Sequence, residues 1–140
     1  MIGRMNRLWL SAFVCAAPLF AHHSFAAEYD REKPVTVKGT VTMLEWVNPH
    51  AWIYVDVKDE SGKVTNWACE LGSPNLLMRN GWRRDSLKQG DEVVIEGSAA
   101  KDGSKRANAR TVKKADGQRV FNAGSSGDPG TPGALGAGNP

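Results

Sequence analysis

The chain has few of the residues on which disulfide-rich folds and strongly charged proteins depend. Only two of its 140 residues are cysteine, Cys15 and Cys69, and its formal net charge is only +3. Loss of an N-terminal segment containing Cys15 would leave a single thiol, which excludes a disulfide within the chain. A molecule this close to neutrality has no overall field that attracts a polyanion, so we expect no nucleic-acid partner.

The motifs of common enzyme classes are also missing. The sequence contains no Gly-x-Ser-x-Gly turn, no His-Glu-x-x-His, no Cys-x-x-Cys and no phosphate-binding glycine loop. Glu45 and Glu70 fall on neighbouring predicted strands, but their spacing does not make one an acid and the other a base. We therefore expect a binding protein and not an enzyme.

The first residues have the organisation of an export signal. Arg4 and Arg7 precede an uncharged apolar run over 8–20, and Ala21 is a small residue suited to cleavage. The run is shorter than the ~20 residues that cross a bilayer, so we expect no transmembrane anchor after cleavage. We predict a signal peptide over 1–21 and a periplasmic or secreted protein.

The cleavage position has an alternative. The third residue before the predicted cut is Leu19, where a small residue is usual, and cleavage after Ala26 or Ala27 is the alternative. The later cuts would remove two histidines from the mature chain.

The C-terminal end has too little apolar surface to fold. Residues 122–140 are largely Gly, Ala, Ser and Pro, and Leu135 is the only large apolar residue among them. Such a segment cannot bury enough surface to offset the entropy lost on ordering, so we predict a disordered tail. The remaining residues, 22–121, suffice for one small core and form the predicted domain.

Alternation of apolar and polar residues predicts strands in this domain. Apolar residues are odd-numbered from Val35 to Val41 and even-numbered at Leu44 and Trp46, with Gly39 between, as in a bent or bulged strand. The later strands alternate similarly. The predicted inward-facing residues are Val37, Val41, Ile53, Val55, Leu77, Val93 and Ile95.

Turn and helix signals predict what connects these strands. Ser73 can cap a short helix, Pro74 suits its first position and Gly81 can end it. We predict a mainly β fold, a small five-stranded OB-like Greek-key barrel with one short helix between strands three and four. The predicted strands are 35–46, 51–58, 64–71, 92–96 and 109–114, with a terminal hairpin arm at 118–121.

The three histidines suggest a metal site. Cleavage after Ala21 would make His22 the N-terminus, followed by His23, and His50 lies in an Asn-Pro-His corner. An N-terminal histidine offers its α-amine and its ring as ligands for a transition metal, and His50 could complete a copper site. His23 could replace either ring. In the alternative interpretation the first two histidines are frayed and the His50 ring binds backbone. Nearby groups that could complete the site are Glu28, Tyr29 and Asp30.

A second hypothesis concerns the aromatic residues. Trp52 and Tyr54 share the polar side of the second strand, and Trp46 lies just before the corner, as on the ligand-binding face of an OB-fold. Such a face would bind a glycan, a peptide or an envelope protein. Alternatively, one or more of these rings packs beneath a terminal segment. We expect Trp67 and Trp82 in the core and Cys69 to be buried and inert.

Several short motifs occur together along the chain. They are the run 22–30, Gly39-Thr40-Val41, Glu45-Trp46, Asn48-Pro49-His50, Gly81-Trp82, Ser86-Leu87 and Gly90-Asp91. In this combination, residues 22–121 resemble a family of small exported bacterial proteins classed as a domain of unknown function. The resemblance implies a small β-barrel and no established activity, so it assigns no catalytic residues. It favours cleavage before His22, because the double histidine is part of the motif.

Overall fold

The structure is a computed structural model that describes residues 25–117 and 120–122. The predicted signal peptide, His22, His23 and nearly all of the predicted tail lie outside these residues. Within them, no helix is both long and apolar enough to cross a membrane. The elements are α1 Phe25–Glu28, β1 Tyr29–Glu45, β2 Trp52–Lys58, β3 Val64–Glu70, α2 Pro74–Arg79, β4 Glu92–Ala100, β5 Arg106–Lys114 and β6 Val120–Asn122.

Five of the strands pair in a closed circuit. β1 pairs antiparallel with both β2 and β4, β2 pairs with β3, and β4 pairs with β5. The circuit closes because β5 also pairs with β3, in parallel. The short β6 extends the edge of β5 and forms the predicted terminal hairpin. The mainly β class and the short helix after the third strand are confirmed.

β1 reaches two neighbours because it is long and bent. Its register against β2 shifts between Val41 and Met43, which is the bulge that the change of apolar phase predicts. At Gly39 a Cβ atom would lie 2.2 Å from the carbonyl oxygen of Asp56. Glycine is therefore required at this position for β1 and β2 to approach each other.

The core fills the inside of the circuit. All seven residues predicted to face inward are buried, with no more than 2% of their surface exposed. Trp82 is also buried, as expected, whereas Trp67 is only partly buried and packs against the core. Cys69 is fully buried, and burial raises the pKa of its thiol to about 12, in agreement with the predicted inert thiol.

The helix α2 has the predicted residues at its start and its end. The Oγ atom of Ser73 accepts a hydrogen bond from the backbone N–H of Leu76 at 3.3 Å, and Pro74 occupies the first turn. Gly81, with φ of +87°, follows the helix in the left-handed conformation. Leu77 is the residue of α2 that enters the core.

A second, smaller cluster lies at the N-terminus of the described chain. Phe25 and Tyr29 are buried together with Ala100 of β4, and the two rings are 5.8 Å apart. The Lys101 backbone N–H donates to the Glu28 carbonyl at 2.9 Å, and Lys101 Nζ donates to the Ala26 carbonyl at 2.6 Å. We call residues 25–29 the N-terminal strap, because these contacts hold them against the turn between β4 and β5.

Candidate functional site

The candidate site is built on the outward face of β2. Ile53 and Val55 of this strand point into the core, so Trp52 and Tyr54 point outward and are half-buried. Trp52 lies opposite Glu45 on β1 and opposite Glu70 on β3. Residues that face each other across strands lie on the same side of the sheet, so these three side chains form one outward row.

The two glutamates of this row do not lie on neighbouring strands. They lie on strands separated by β2, so their backbones are about 10 Å apart. Their side chains also have different partners: Glu45 accepts a hydrogen bond from the Tyr54 hydroxyl at 3.0 Å, while Glu70 accepts from Tyr29 and His50. The row therefore contains two separate polar contacts on either side of Trp52.

Glu70 is the centre of a buried polar network. One carboxylate oxygen lies 2.6 Å from His50 Nδ1, and the other accepts a hydrogen bond from the Tyr29 hydroxyl. His50 Nδ1 is also 3.1 Å from the Leu71 carbonyl oxygen. Because both neighbours of Nδ1 are acceptors, this nitrogen carries the proton and donates. In the neutral ring, Nε2 is then the nitrogen with a lone pair.

The hydrogen bonds of this network shift the pKa values of Glu70, His50 and Tyr29. Burial raises the pKa of the Glu70 carboxyl, but the hydrogen bonds from His50 and Tyr29 outweigh it and hold that pKa below its ordinary value. The contact with Glu70 raises the pKa of His50 against the effect of burial. Burial, reinforced by Glu70, raises the pKa of Tyr29 far above its ordinary range. At neutral pH, Glu70 is therefore a carboxylate and Tyr29 a donor.

Arg106 connects this network to Trp52. Its Nη2 atom donates to a Glu28 carboxylate oxygen at 3.1 Å and lies 3.4 Å from the Tyr29 hydroxyl. Its guanidinium is 5.4 Å from the centre of the Trp52 ring and 5.9 Å from that of Tyr29, within the range of a cation–π contact. Arg106 is opposite Ala68 on β3.

The residues singled out in the sequence are partly brought together. His50 lies in the connection between β1 and β2 with 34% of its side chain exposed, close to the row that contains Trp52. Its contact with the Leu71 carbonyl matches the backbone-binding alternative. Tyr54 is two residues further along the same face, whereas Trp46 packs against the core. His22 and His23 lie outside the described residues.

The described residues do not form a metal site by themselves. Within 25–117 and 120–122, no three His, Cys, Asp or Glu side chains form a group that could hold a metal ion. Of the additional candidates, Glu28 and Tyr29 join the network through Arg106 and Glu70, while Asp30 pairs with Lys33 at 3.7 Å. His50 is the one imidazole in this part of the chain.

The sequence pattern does not predict that Glu70 contacts His50 or that Arg106 reaches Trp52. Glu70 has one signal in the sequence: it is an acidic residue between the apolar Cys69 and Leu71. Arg106 belongs to the segment 101–119, in which seven basic residues outnumber two acidic ones. Two of these basic residues form ion pairs: Lys113 pairs with Glu96 at 3.7 Å, and Lys114 pairs with Asp91 at 3.0 Å.

A protein-family model matches residues 11–109 of the chain, which is most of its length. The chain belongs to DUF6152, a family of unknown function. The DUF6152 match includes every residue of the network around Glu70, and it ends within β5. A comparison with curated proteins gives no match. DUF6152 membership therefore agrees with the resemblance found in the sequence and leaves the function to be argued from the site.

Proposed function

We propose that this DUF6152 protein is an exported, non-enzymatic binding protein that holds one copper ion between His50 and a mature N-terminus at His22. The observation that supports it most directly is the double contact at His50 Nδ1, with the Glu70 carboxylate at 2.6 Å and the Leu71 carbonyl at 3.1 Å. Metal-binding histidines commonly donate their other N–H to a carboxylate or carbonyl, which orients the ring. His50 has this arrangement, with Nε2 as the ligand atom.

The N-terminal strap supplies a second argument. Tyr29 binds the same Glu70 carboxylate as His50, and the Phe25 ring lies 5.8 Å from the Tyr29 ring. Three residue steps separate Phe25 from His22, and an extended chain covers about 10 Å over that length. A short tether therefore joins the α-amine and the two imidazoles of positions 22 and 23 to a strap that contacts the same carboxylate as His50.

The proposed fold is an OB-fold barrel with Greek-key connections. The circuit of strands runs β1, β2, β3, β5, β4 and returns to β1, with the helix α2 between β3 and β4. OB-folds bind their ligands on the face of strands two and three and at the adjoining loops. Trp52, Glu70 and His50 occupy the corresponding face and loop, which supports the choice of site.

The proposed location is the bacterial periplasm or the medium. It depends on the signal peptide predicted over 1–21, with its basic start and apolar run. Cleavage after Ala21 is essential to the copper proposal, because only a free α-amine at His22 can act as a ligand beside the ring. Determining the mature N-terminus therefore tests both the export signal and the requirement of the metal site for a free α-amine at His22.

The experiment is native mass spectrometry of the processed protein with and without Cu(II). We expect a chain that begins at His22 and binds one copper ion. A single Gly inserted before His22 would turn the amine into an amide, and His50→Ala would remove the Nε2 ligand, so both changes should lower affinity sharply. If neither change alters the copper titration, binding is adventitious and the site is wrong.

A matched pair of variants tests the role of the buried carboxylate. Glu70→Gln should weaken copper binding by about 10- to 100-fold, since it removes the acceptor that orients the His50 ring. Glu45→Gln removes a carboxylate from the same row that does not contact His50, and it should leave the affinity unchanged. Binding should also weaken as the pH falls, beginning above the ordinary imidazole pKa of about 6.5, because Glu70 raises the pKa of His50.

A second candidate function is recognition of a glycan, a peptide or an envelope protein through Trp52 and Tyr54. It is favoured by their shared outward face and by the neighbouring Met43, which lies opposite Tyr54 and is 48% exposed. Replacing both aromatic residues with Ser should abolish capture of such a ligand with little effect on stability. Severe unfolding of the double variant would contradict a binding role for these rings.

A further inference from the structure

A second surface lies outside this site, on α2 and the turn that follows it. Residues 78–88 contain four basic side chains and one acidic side chain. They carry a formal charge of +3, which equals that of the whole 140-residue chain. The segment therefore has a local excess of positive charge.

Within the described residues, the arginines of this segment have no carboxylate partners. Arg79, Arg83 and Arg84 are all exposed, and no ion pair within the described chain, 25–117 and 120–122, includes any of them. The basic side chains of β5 differ, since Lys113 and Lys114 are paired with Glu96 and Asp91. The charge of the three arginines is thus available to an external anion.

A large apolar side chain is also exposed in this segment. Met78, next to Arg79 at the end of α2, is 53% exposed and is one of four exposed large apolar residues in the described chain. We call Met78, Arg79, Arg83 and Arg84 the Met78–arginine patch. An exposed apolar side chain next to a basic residue suits the boundary between lipid headgroups and acyl chains.

The backbone that carries the patch is ordered. Leu77, Trp82 and Leu87 on either side of the arginines are buried in the core. The turn between them is closed by two hydrogen bonds, from Ser86 N–H to the Arg83 carbonyl at 3.0 Å and from Arg83 N–H to Ser86 Oγ at 2.8 Å. Because the backbone is already ordered, docking would cost little conformational entropy beyond that of the side chains.

We propose that the Met78–arginine patch docks this protein on the surface of an anionic phospholipid bilayer. The guanidinium groups bind lipid phosphates, and the Met78 side chain enters the headgroup region. Charge alone would serve a soluble polyanion equally well, and the exposed methionine is what favours a lipid surface. The inference is independent of the copper site, because the patch shares no residue with it.

The test measures cosedimentation of the processed protein with vesicles of phosphatidylcholine, with and without phosphatidylglycerol. We expect binding only to the anionic vesicles, and weaker binding at higher salt. The triple variant R79Q/R83Q/R84Q should lose more than about tenfold in partitioning, since each basic group near an anionic surface contributes about fivefold. The matched control K38Q/K58Q/K63Q removes the same charge from exposed positions elsewhere and should bind like the wild type.

A second variant separates lipid from other anions. Met78→Ser should weaken binding to anionic vesicles and leave binding to soluble polyphosphate unchanged, with the same thermal unfolding as the wild type. The proposal is overturned if the two triple variants lose binding equally, if the wild type does not sediment with anionic vesicles, or if Met78→Ser binds them normally. The last result would show a general polyanion surface.

Discussion

Single residues set the chemistry of the candidate site, and Glu70 contributes most. Its carboxylate accepts hydrogen bonds from Tyr29, which is 41 positions away in the sequence, and from His50, in the connection between β1 and β2. Strand periodicity predicts which way Glu70 points, but it contains no information about these partners. The pairing joins the strap to β3 across a long separation in the sequence, and so it could be found only in three dimensions.

The contact between His50 and Glu70 should make stability depend on pH. Glu70 raises the folded-state pKa of His50. The stabilisation is therefore complete below the unfolded pKa of about 6.5 and is lost as the pH rises through the folded-state value. The lowered pKa of Glu70 acts in the other direction, with stabilisation present above about pH 4.3 and lost as the pH falls through its folded-state value. The pair should stabilise most between about pH 4.3 and 6.5.

Urea unfolding with a chelator present checks this prediction. The difference in unfolding free energy between the wild type and His50→Gln should shrink as the pH is raised above about 6.5. In a Glu70→Gln background the same difference should vary much less with pH. An equal pH dependence in both backgrounds would show that Glu70 is not the group that holds the His50 proton.

At the scale of elements, the N-terminal strap is the segment that the sequence did not predict as structured. Residues 25–29 contain no apolar alternation, and their contacts are with β3, β4 and the turn after β4. The same segment explains why β4 continues to Ala100, well beyond the predicted end at residue 96. Small residues in this part of β4 give a weak strand signal, yet they pair with Tyr29 and Asp30.

Tyr29→Phe should loosen the strap while keeping its ring packing. The variant removes the hydrogen bond to the Glu70 carboxylate, and a buried hydrogen bond to a charged group contributes about 1.5–3 kcal/mol. Amide hydrogen exchange should speed up at Lys101, whose N–H donates to Glu28 in the strap. The measurement combines this exchange rate with the unfolding free energy.

Tyr54→Phe is the matched control for this change. It also removes one hydroxyl that donates to a glutamate, but Tyr54 and Glu45 lie on the half-exposed outer row. Its cost should be below about 1 kcal/mol, and exchange at Lys101 should not change. Equal costs for the two variants would mean that Tyr29 does not anchor the strap.

Local elements with strong signals were predicted well. The bulge in β1 follows from the shift of apolar phase around Gly39, and α2 follows from Ser73, Pro74 and Gly81. These features depend on backbone sterics within a few residues, which is information that the local sequence contains. The closing contact between β3 and β5 joins distant segments, so only the order of the elements indicated it.

For the whole molecule, the strand circuit encloses one core, so we expect the packing of that core to determine the free energy of unfolding. Ile53 is fully buried within it. Ile53→Ala should cost about 2–5 kcal/mol, because it leaves a cavity as well as losing buried surface. Chemical denaturation followed by tryptophan fluorescence gives the value.

Val64→Ala is the corresponding control at an exposed strand position. Val64 is 54% exposed at the start of β3, so its truncation should cost less than about 1 kcal/mol. A cost below 1 kcal/mol for Ile53→Ala as well would contradict the assignment of β2's inner face to the core.

The burial of Cys69 has a practical consequence for following the molecule in time. In a chain processed after Ala21 it is the sole sulfhydryl, with no surface exposed and a pKa raised to about 12. A maleimide can therefore react only with molecules that have opened and exposed Cys69, since thiolate formation requires access to water. The rate of alkylation is thus limited by opening of the fold, so this single thiol reports how often the molecule opens.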